Sequence, residues 1–484
     1  DEACESHLGS LWMSGPRYRV QLQKATAGQL VMFEGAQEML SAGSGLIAWP
    51  ISRRLESKSL CKFGSLAREL SMLSATSSAL RVALEPLRPA ELPRLQRALR
   101  QCALVYPALR VVVEENGEHA ILGTGELFLD CVLHDVRASA HERADESTRA
   151  KSSTLNSSSS LELRVSDPCV LFRETVASRS HSSASAATAN LSGSLKFISE
   201  PLDATLIAAF ERGEFHMLGA KTHFSIDGDQ SDEAAKAKAQ SRLRREFGWD
   251  ILAARSVWAF GPDPTHGSNC LLDDVLPGTG KKDRAELSRN SIVQGFLWAA
   301  REGPLCDEPL RGVLTKMTDI ELADDGLAQS ASQLVPAARR GVHGAILAAA
   351  PRLMEPVFRV HVVLAPEHVK VVGALLARRR GYITEQQAIA GTPLVHVRAA
   401  LPVLDSFGFE TDARLATRGV ASVAQILDHW QIIPGDPLDE NHVLRPLEPA
   451  PPSALARDCL LKTRRRKGLG EVIAARRFAD DLVG

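Results

Sequence analysis

The chain has 484 residues, of which 44% are apolar and 24% are charged, and this composition excludes a globally disordered chain. The formal net charge is −1, so any contact with a polyanion must come from a local patch rather than from the field of the whole chain. Aromatic residues make up only 5%, which argues against an extensive base-stacking platform for single strands.

The cysteines and the apolar runs indicate the compartment. Eight cysteines are scattered along the chain without a Cys-x-x-Cys pair, which argues against a disulfide scaffold or a zinc ribbon and fits a reducing cytosol or nucleus. The apolar stretch Ala345–Ala350 is far shorter than the roughly 20 residues that a membrane span needs, so no membrane partner is predicted. The chain starts at Asp1 and not at Met, which suggests a fragment or a processed piece.

Residues 1–78 carry short strand signals and then a linker. Residues 18–23 alternate between polar and apolar at period two, and residues 30–35 form a second short strand with a glycine stop. We interpret this region as the later part of a β-barrel whose beginning is missing. Residues 64–78 contain five serines and read as a linker.

Residues 79–166 predict a split βαβ domain. Leu80–Leu84 alternates as a strand, and apolar residues from Leu92 to Cys102 then recur on one helical face. Because Pro93 lacks an N–H, this helix must begin near residues 90–92. Asn116-Gly117 joins two further strands and is a strong hairpin signal.

A second helical stripe and a last strand complete this pattern. The stripe comprises Leu129, Val132, Leu133 and Val136, and the strand lies at 161–165. The order β-α-β-β-α-β is ferredoxin-like. A polar, serine-rich stretch at 139–160 lies between the helix and the strand and is predicted to be a surface insertion.

The same order recurs over residues 351–440. A strand at 358–364 precedes a helix that we expect to end with Gly381 as the C′ residue. Strands near 382–389 and 394–401, a short helix near 406–417 and a strand near 420–427 follow. The chain therefore carries two copies of one supersecondary pattern.

Between the two copies lies a block at 167–350 that is predicted to be an elongated α+β domain. It contains a second Ser/Ala-rich stretch at 178–194 and closes with a helix for which Pro336 is expected near N1 and Pro351 as the stop. Residues 441–484 form a basic tail. The predicted fold class is thus multi-domain α+β: a barrel remnant and two ferredoxin-like domains flanking the elongated domain.

No nucleotide site is recognisable in the chain. A phosphate-binding loop needs the pattern G-x-x-x-x-G-K-[ST]; residues 278–282 lack its first glycine and its final Ser/Thr, and residues 219–222 carry Ala220 before the lysine. The glycine-rich residues 123–127 are better interpreted as a strand-to-helix turn. Cys4 and His7 have the spacing of half a zinc site without a second half. We therefore predict no catalytic, cofactor-binding or metal-binding residue in this chain.

Two basic runs are the clearest electrostatic feature. One comprises Lys462, Arg464, Arg465, Arg466 and Lys467, and the other comprises Arg378, Arg379 and Arg380. Such runs can neutralise phosphates. For Arg378–Arg380 a helix end whose cations suit the helix dipole is the favoured interpretation. For residues 462–467, two interpretations are equally favoured: contact with RNA or an acidic partner, and a simple solvated helix end.

Several longer segments resemble elongation-factor-two-like GTPases. They lie at 114–127, 303–308, 351–356, 406–409 and 429–437, in the same order as in that family. Two further segments, 252–263 and 445–449 with 461–469, look like the spliceosomal branch, the GTPase subunits of the U5 small nuclear ribonucleoprotein. The ribosomal translocase of the family carries a modified histidine in a loop that aligns with Leu327–Gln333, where this chain has Ala328 instead.

The resemblance implies a function and its partners. It implies a nuclear component of the U5 particle that acts in pre-mRNA splicing and switches with GTP, with this chain as the lever and docking portion. GTP and Mg²⁺ would bind a domain that precedes this chain, so the sequence leaves open whether GTP is hydrolysed or only bound. Implied partners are the large U5 scaffold protein and the helicase that unwinds U4/U6 in activation and disassembly, with U5 snRNA as a candidate partner of the basic tail. A divergent ribosomal translocase and a stand-alone enzyme are the alternatives.

Overall fold

The computed structural model describes most of the chain from residue 78 onward and a few short segments before it. The described residues are 10–14, 18–24, 26, 31–33, 78–106, 108–114, 117–148, 161–211, 240–262, 267–276, 281–323, 330–440, 450–473 and 478. They divide into two compact units, one made of residues 1–170 and 357–429 and the other of residues 171–356 and 430–484.

The first strands of the chain form a small antiparallel sheet in the first unit. Strand β1 (Leu11–Ser14) lies between β2 (Arg19–Leu22) and β3 (Met32–Phe33). Both strands predicted in this region are confirmed, and no barrel closes among the described strands. The predicted linker lies, except for Ser78, outside the described residues.

A ferredoxin-like module follows in the same unit. Its elements are β4 (Leu80–Pro86), α1 (Leu92–Val105), β5 (Arg110–Val113), β6 (His119–Gly123), α2 (Glu126–Thr148) and β7 (Leu163–Val165). The sheet order is β5-β6-β4-β7 with every neighbouring pair antiparallel, and the short β8 (Cys169–Val170) also pairs with β4. The predicted β-α-β-β-α-β order is confirmed.

Local sequence explains these elements. Pro93 is the second residue of α1, where its missing N–H costs no helical bond. The helix buries one stripe that includes Leu95, Leu99 and Cys102, as α2 buries Val132. At the hairpin, Gly117 has φ +85° and donates its N–H to the Glu114 carbonyl at 2.9 Å. A left-handed φ favours glycine, so the turn needs this residue.

The second unit is built on a five-stranded sheet with helices packed against it. Its elements are β9 (Arg173–Val176), β10 (Ala184–Ala187), β11 (Gly193–Pro201), α3 (Ala204–Glu211), α4 (Ile251–Arg255), β12 (Val257–Gly261), β13 (Asn269–Asp273), α5 (Lys281–Arg301), β14 (Val313–Leu322) and α6 (Ala331–Leu347). The sheet order is β10-β11-β14-β13-β12, and β13 and β14 run parallel. Helices α5 and α6 bury Phe296 and Val342 in one core with Phe197 of β11.

Helix α6 differs from its prediction. It begins at Ala331, so Pro336 lies inside the helix and not at N1. The apolar face extends back to Leu334, which is fully buried, whereas Pro336 is exposed. Burial of that added turn outweighs the loss of one backbone hydrogen bond at the proline. The helix ends at Leu347, and Pro351 begins the next strand.

The second ferredoxin-like module has the same topology as the first. Its elements are β15 (Pro351–Leu364), α7 (Val369–Arg378), β16 (Tyr382–Ala388), β17 (Val395–Pro402), α8 (Phe409–Ala416) and β18 (Ser422–Ile432). The order β16-β17-β15-β18 repeats that of the first module. In the second unit, residues 351–354 of β15 pair with β9. The predicted recurrence of the pattern is confirmed.

The end of α7 corrects a second expectation. The residue with left-handed backbone is Arg380, at φ +58°, and not Gly381. Glycine is needed at 381 for space, since a Cβ there would lie 3.0 Å from both the Ala400 carbonyl oxygen and Leu401 Cδ1. Within the described part of the chain, no helix is both long and apolar enough to cross a membrane.

Candidate functional site

The predicted basic tail forms an amphipathic helix, α9 (Leu455–Arg466), in the second unit. Its buried residues include Ala456, Cys459, Leu460 and Thr463, which recur at helical spacing on one face. The helix ends before Gly468, which has φ +70°. There the Leu469 N–H donates to the Arg464 carbonyl at 2.8 Å, which closes the last turn.

Arg464 points inward and belongs to the buried face of α9. Only 9% of the residue is exposed. Its Nε donates to the Gly470 carbonyl at 2.6 Å, and its Nη1 donates to the Leu305 carbonyl. The guanidinium therefore joins the tail to the loop at 303–308 and is not presented to solvent.

Lys467 holds the same loop one turn later. Its Nζ donates to the carbonyls of Cys306 and Asp307 at 2.9 and 2.8 Å, and it lies 2.8 Å from a carboxylate oxygen of Glu308. Two of the five tail cations thus bind the acceptor side of one loop.

The donor side of this loop is held by a buried carboxylate, Glu174 of β9. Its two oxygens accept the N–H groups of Leu305, Cys306 and Glu308 at 2.9, 2.8 and 3.1 Å. Gly303 leaves room for it, because a Cβ there would lie 2.2 Å from a Glu174 oxygen. Burial raises the pKa of Glu174 to about 7, although the three N–H donors act in the opposite direction.

The thiol of Cys306 is also shielded by this arrangement. Burial, with the nearby carboxylates of Glu174 and Glu308, raises the pKa of Cys306 well above its ordinary value. A thiol that stays protonated is a poor nucleophile and a poor metal ligand. Its place in the loop is therefore structural.

Three tail cations remain on the exposed side of α9. Lys462 pairs with Asp458 at 2.7 Å, Arg465 pairs with Glu471 at 2.8 Å, and Arg466 is exposed. Exposed pairs of this kind contribute only about 0.2–1 kcal/mol, so a phosphate or an acidic side chain can compete for these cations. Contact of the tail with RNA or a partner stays a prediction, and these three side chains are the ones placed for it.

The other basic run, Arg378–Arg380 in the first unit, also contains both exposed and engaged cations. Arg378 is exposed at the last residue of α7. Arg379 donates to the carbonyls of Asp405 and Phe407 at 2.8 and 2.6 Å and to a carboxylate oxygen of Asp412 at 2.5 Å. Arg380 donates to the Asp405 carboxylate at 2.5 Å. These two guanidiniums fix the turn that leads into α8.

Two glycine-bearing segments singled out in the sequence meet within the first unit. Gly408 precedes α8 with φ +71°, and its N–H donates to a carboxylate oxygen of Glu126 at 3.0 Å. Glu126 is the first residue of α2, and Gly123 ends β6. The segment 123–127 is thus a strand-to-helix turn whose acidic residue contacts the second ferredoxin-like module.

Of the remaining motif candidates, two are described in part: residues 278–282 and the segment 327–333. Lys281 lies 2.7 Å from Asp319 and 3.2 Å from Glu321. Residues 219–222, 277–280 and 324–329 and the Cys4/His7 pair lie outside the described residues. Ser330 occupies the N-cap position of α6 without a side-chain capping bond, and residues 331–333 form the first turn of that helix. Where the structure describes the chain, no group of three His, Cys, Asp or Glu residues is arranged to hold a metal ion.

The sequence analysis singled out the loop at 303–308 by its resemblance alone and missed Glu174, the residue that holds this loop. Glu174 lies 131 residues from Leu305 along the chain, so no local pattern connects them. The inward position of Arg464 did have a signal, since it continues the helical spacing of Leu460 and Thr463.

Comparisons with known proteins agree with this architecture. The family described as elongation factor G, domain IV matches residues 230–350, and that described as elongation factor G C-terminus matches residues 352–441. The chain is 40% identical over 473 residues to the 109 kDa U5 small nuclear ribonucleoprotein component GFL of Arabidopsis thaliana, which covers 98% of the chain and 44% of that protein.

Two further relatives give the same picture. The 110 kDa U5 small nuclear ribonucleoprotein component CLO of Arabidopsis thaliana is 39% identical over 477 residues, covering 98% of the chain and 43% of that protein. Pre-mRNA-splicing factor cwf10 of Schizosaccharomyces pombe is 37% identical over 475 residues, covering 98% and 44%. The chain therefore spans less than half the length of these relatives. Over nearly its whole length it is similar to U5 small nuclear ribonucleoprotein components and a pre-mRNA-splicing factor, and its residues 230–350 and 352–441 match domain IV and the C-terminus of elongation factor G.

Proposed function

We propose that this chain acts in pre-mRNA splicing, in the nucleus, as part of a component of the U5 small nuclear ribonucleoprotein. The observation that carries the proposal is the similarity over 98% of the chain to proteins that bear those names. The similarity runs through both ferredoxin-like modules, the domain between them and the tail helix. These parts would therefore hold the same places in this protein as in its relatives.

Within that component, the chain is the lever and docking portion of a GTP-responsive switch. GTP and Mg²⁺ bind a domain that precedes it, which is consistent with the lack of a phosphate-loop pattern in residues 1–484. Its modules contact the large U5 scaffold protein and relay the nucleotide state to the helicase that unwinds U4/U6. U5 snRNA is the proposed partner of the exposed tail cations.

Affinity purification of the tagged full-length protein from nuclear extract tests the splicing role. We expect U5 snRNA and splicing proteins to co-purify at salt concentrations that remove nonspecific RNA. Recovery of ribosomes without U5 snRNA would instead assign the protein to translation, as a divergent translocase. Nucleotide binding is tested in parallel: the full-length protein should bind GTP with Mg²⁺, and the 484-residue chain should not.

The lever role needs a perturbation that changes the tail and leaves the rest folded. Arg464→Ala in the full-length protein breaks the contact between α9 and Leu305, whereas Arg466→Ala removes an exposed cation of the same helix. In purified particles, we expect only Arg464→Ala to weaken the dependence of U4/U6 unwinding on GTP. Equal unwinding by both variants and the unchanged protein would contradict a lever that acts through the tail.

A further inference from the structure

The sheet of the second ferredoxin-like module has an open face. In the described part of this module, helix α7 lies on one side of the sheet. This side is the one to which Ile383 projects, since a Cβ at Gly373 of α7 would lie 3.5 Å from Ile383 Cδ1. Ile383 pairs with Ala399, and Ala399 pairs with Val360, which is fully buried. Since side chains alternate across a strand, the neighbouring residues of β15 and β17 project to the opposite side.

Two histidines on the central strands form a flat pair on this open face. His361 of β15 and His396 of β17 are both half-buried, with Nδ1 of His361 3.0 Å from Nε2 of His396. Their ring planes differ by only 8°, while the ring centroids are 5.1 Å apart. Because the nitrogens are close while the ring centroids are far apart, the two rings meet edge to edge. They lie in nearly one plane and are not stacked face to face.

The two rings are held in this plane by one shared hydrogen bond. A shared N–H···N hydrogen bond requires one ring to donate and the other to accept. Burial and then the neighbouring His396, Arg398 and Arg359 lower the pKa of His361. Coplanar rings offer a surface on which an aromatic ligand can stack.

Two arginines lie beside His361 on this face: Arg398 is opposite it on β17, and Arg359 is two residues before it on β15. Arg359 pairs with Asp428, and Arg398 pairs with Glu385 at 2.6 Å; the two arginine side chains are 54% and 43% exposed. Such exposed pairs are weak, so phosphate groups can displace the carboxylates. The large apolar side chains exposed on β16 and β18 are Tyr382, Ile426 and Ile432, which is too little for the apolar core of a protein interface.

We propose that this open face, defined by Arg359, His361, Tyr382, His396 and Arg398, binds single-stranded RNA. One or two bases stack on the histidine pair, and the guanidiniums contact the flanking phosphates. In β-α-β-β-α-β domains that bind single strands, aromatic rings on the two central strands stack the bases, and β15 and β17 hold those central positions here. The inference is independent of the proposed function, because it rests on the chemistry of this face alone.

Fluorescence anisotropy of a labelled oligo(U) RNA of about 12 nucleotides with the 484-residue chain tests the proposal. Stacking contributes about 1–3 kcal/mol per base, so the double variant His361→Ala, His396→Ala should bind about tenfold more weakly or worse. Its salt dependence should stay unchanged, which separates stacking from contacts of the tail. His368→Ala, which removes a histidine outside the face, should bind like the unchanged chain.

A phenylalanine variant distinguishes stacking from a structural role of the histidines. His361→Phe with His396→Phe removes the hydrogen bond but keeps two rings, so RNA affinity should stay within about threefold of the unchanged chain, with folding checked by urea unfolding. Four results would overturn the proposal: no binding of the RNA by the unchanged chain, equal binding of duplex RNA, full binding by the alanine variant, or equal losses in the alanine and phenylalanine variants.

Discussion

At the residue scale, Glu174 is a buried carboxylate that is held on both of its oxygens. It is buried, accepts three backbone N–H groups and faces Gly303 at a distance that leaves no space for a side chain. A buried carboxyl that accepts N–H groups on both oxygens fixes the conformation of the loop that donates them. The loop it fixes is the one that the tail cations hold from the other side.

Protonation of Glu174 should make the stability of the chain depend on pH. Its pKa of about 7 when folded exceeds the ordinary 4.5, so between these values the folded state binds a proton that the unfolded state has lost. Its contribution to the free energy of unfolding therefore falls as pH rises from 4.5 to 7. Relative to Glu174→Gln, the unchanged chain should lose up to about 3 kcal/mol over this range, at 1.36 kcal/mol per pKa unit.

Urea unfolding of both proteins at several pH values measures this difference. His343 is buried and has its pKa lowered to about 4, but it titrates equally in both proteins and cancels in the comparison. A difference that stays constant with pH would show that the Glu174 carboxyl titrates at its ordinary pKa.

Arg464 and Arg466 are two residues apart and should respond differently to the same substitution. Arg464→Ala leaves the Leu305 and Gly470 carbonyls without their charged donor, and hydrogen bonds to charged groups contribute about 1.5–3 kcal/mol each. We expect a loss of about 2–3 kcal/mol in urea unfolding. Arg466→Ala, on the exposed side, should stay within about 0.5 kcal/mol, and equal losses would contradict the docked position of Arg464.

At the element scale, the packing of α5 on α6 depends on a glycine. A Cβ at Gly295 would lie 2.6 Å from Ala338 Cβ and 2.7 Å from the Val335 carbonyl oxygen. The two helices approach so closely that Gly295→Ala should force them apart, at a cost of about 1–3 kcal/mol.

Gly373, inside α7, provides the matched control for this substitution. A Cβ there meets Ile383 Cδ1 at 3.5 Å, an ordinary contact. Gly373→Ala should therefore stabilise the chain by about 0.5–1 kcal/mol, because alanine is the better helix former. Thermal or urea unfolding of both variants tests the pair, and a loss at Gly373 equal to that at Gly295 would show that helix packing does not decide the outcome.

The elements that could be predicted from sequence are those with a local signal. The stripes of α1 and α2 and the turn at Gly117 depend on residues a few positions apart, and the sequence displays them directly. The predicted start of α6 was wrong, because Pro336 argues against a helix interior and the sequence does not show that Leu334 is buried. The left-handed Arg380 was missed since glycine follows it, and the Glu174 loop depends on contacts more than 100 residues apart.

At the scale of the whole molecule, charge is balanced, and this makes the local placement of cations decisive. The formal net charge of −1 gives no general attraction for nucleic acid. Many of the described cations are paired with carboxylates, among them Lys281, Arg311 and Arg352. Attraction of a phosphate backbone must therefore come from small clusters whose partners are weakly held.

The tail helix α9 carries such a cluster on its exposed side. This placement predicts how the salt dependence of RNA binding changes when single cations are removed. If Lys462, Arg465 and Arg466 each contact a phosphate, then replacing any one by alanine should reduce the slope of log K against log salt for RNA binding by about 1. Arg464→Ala and Lys467→Ala should leave the slope unchanged and lower stability instead, since both side chains bind the loop at 303–308. Anisotropy titrations over a range of salt concentrations measure the slope. If the three exposed variants all keep the slope of the unchanged chain, the outer side of α9 carries no phosphate contact.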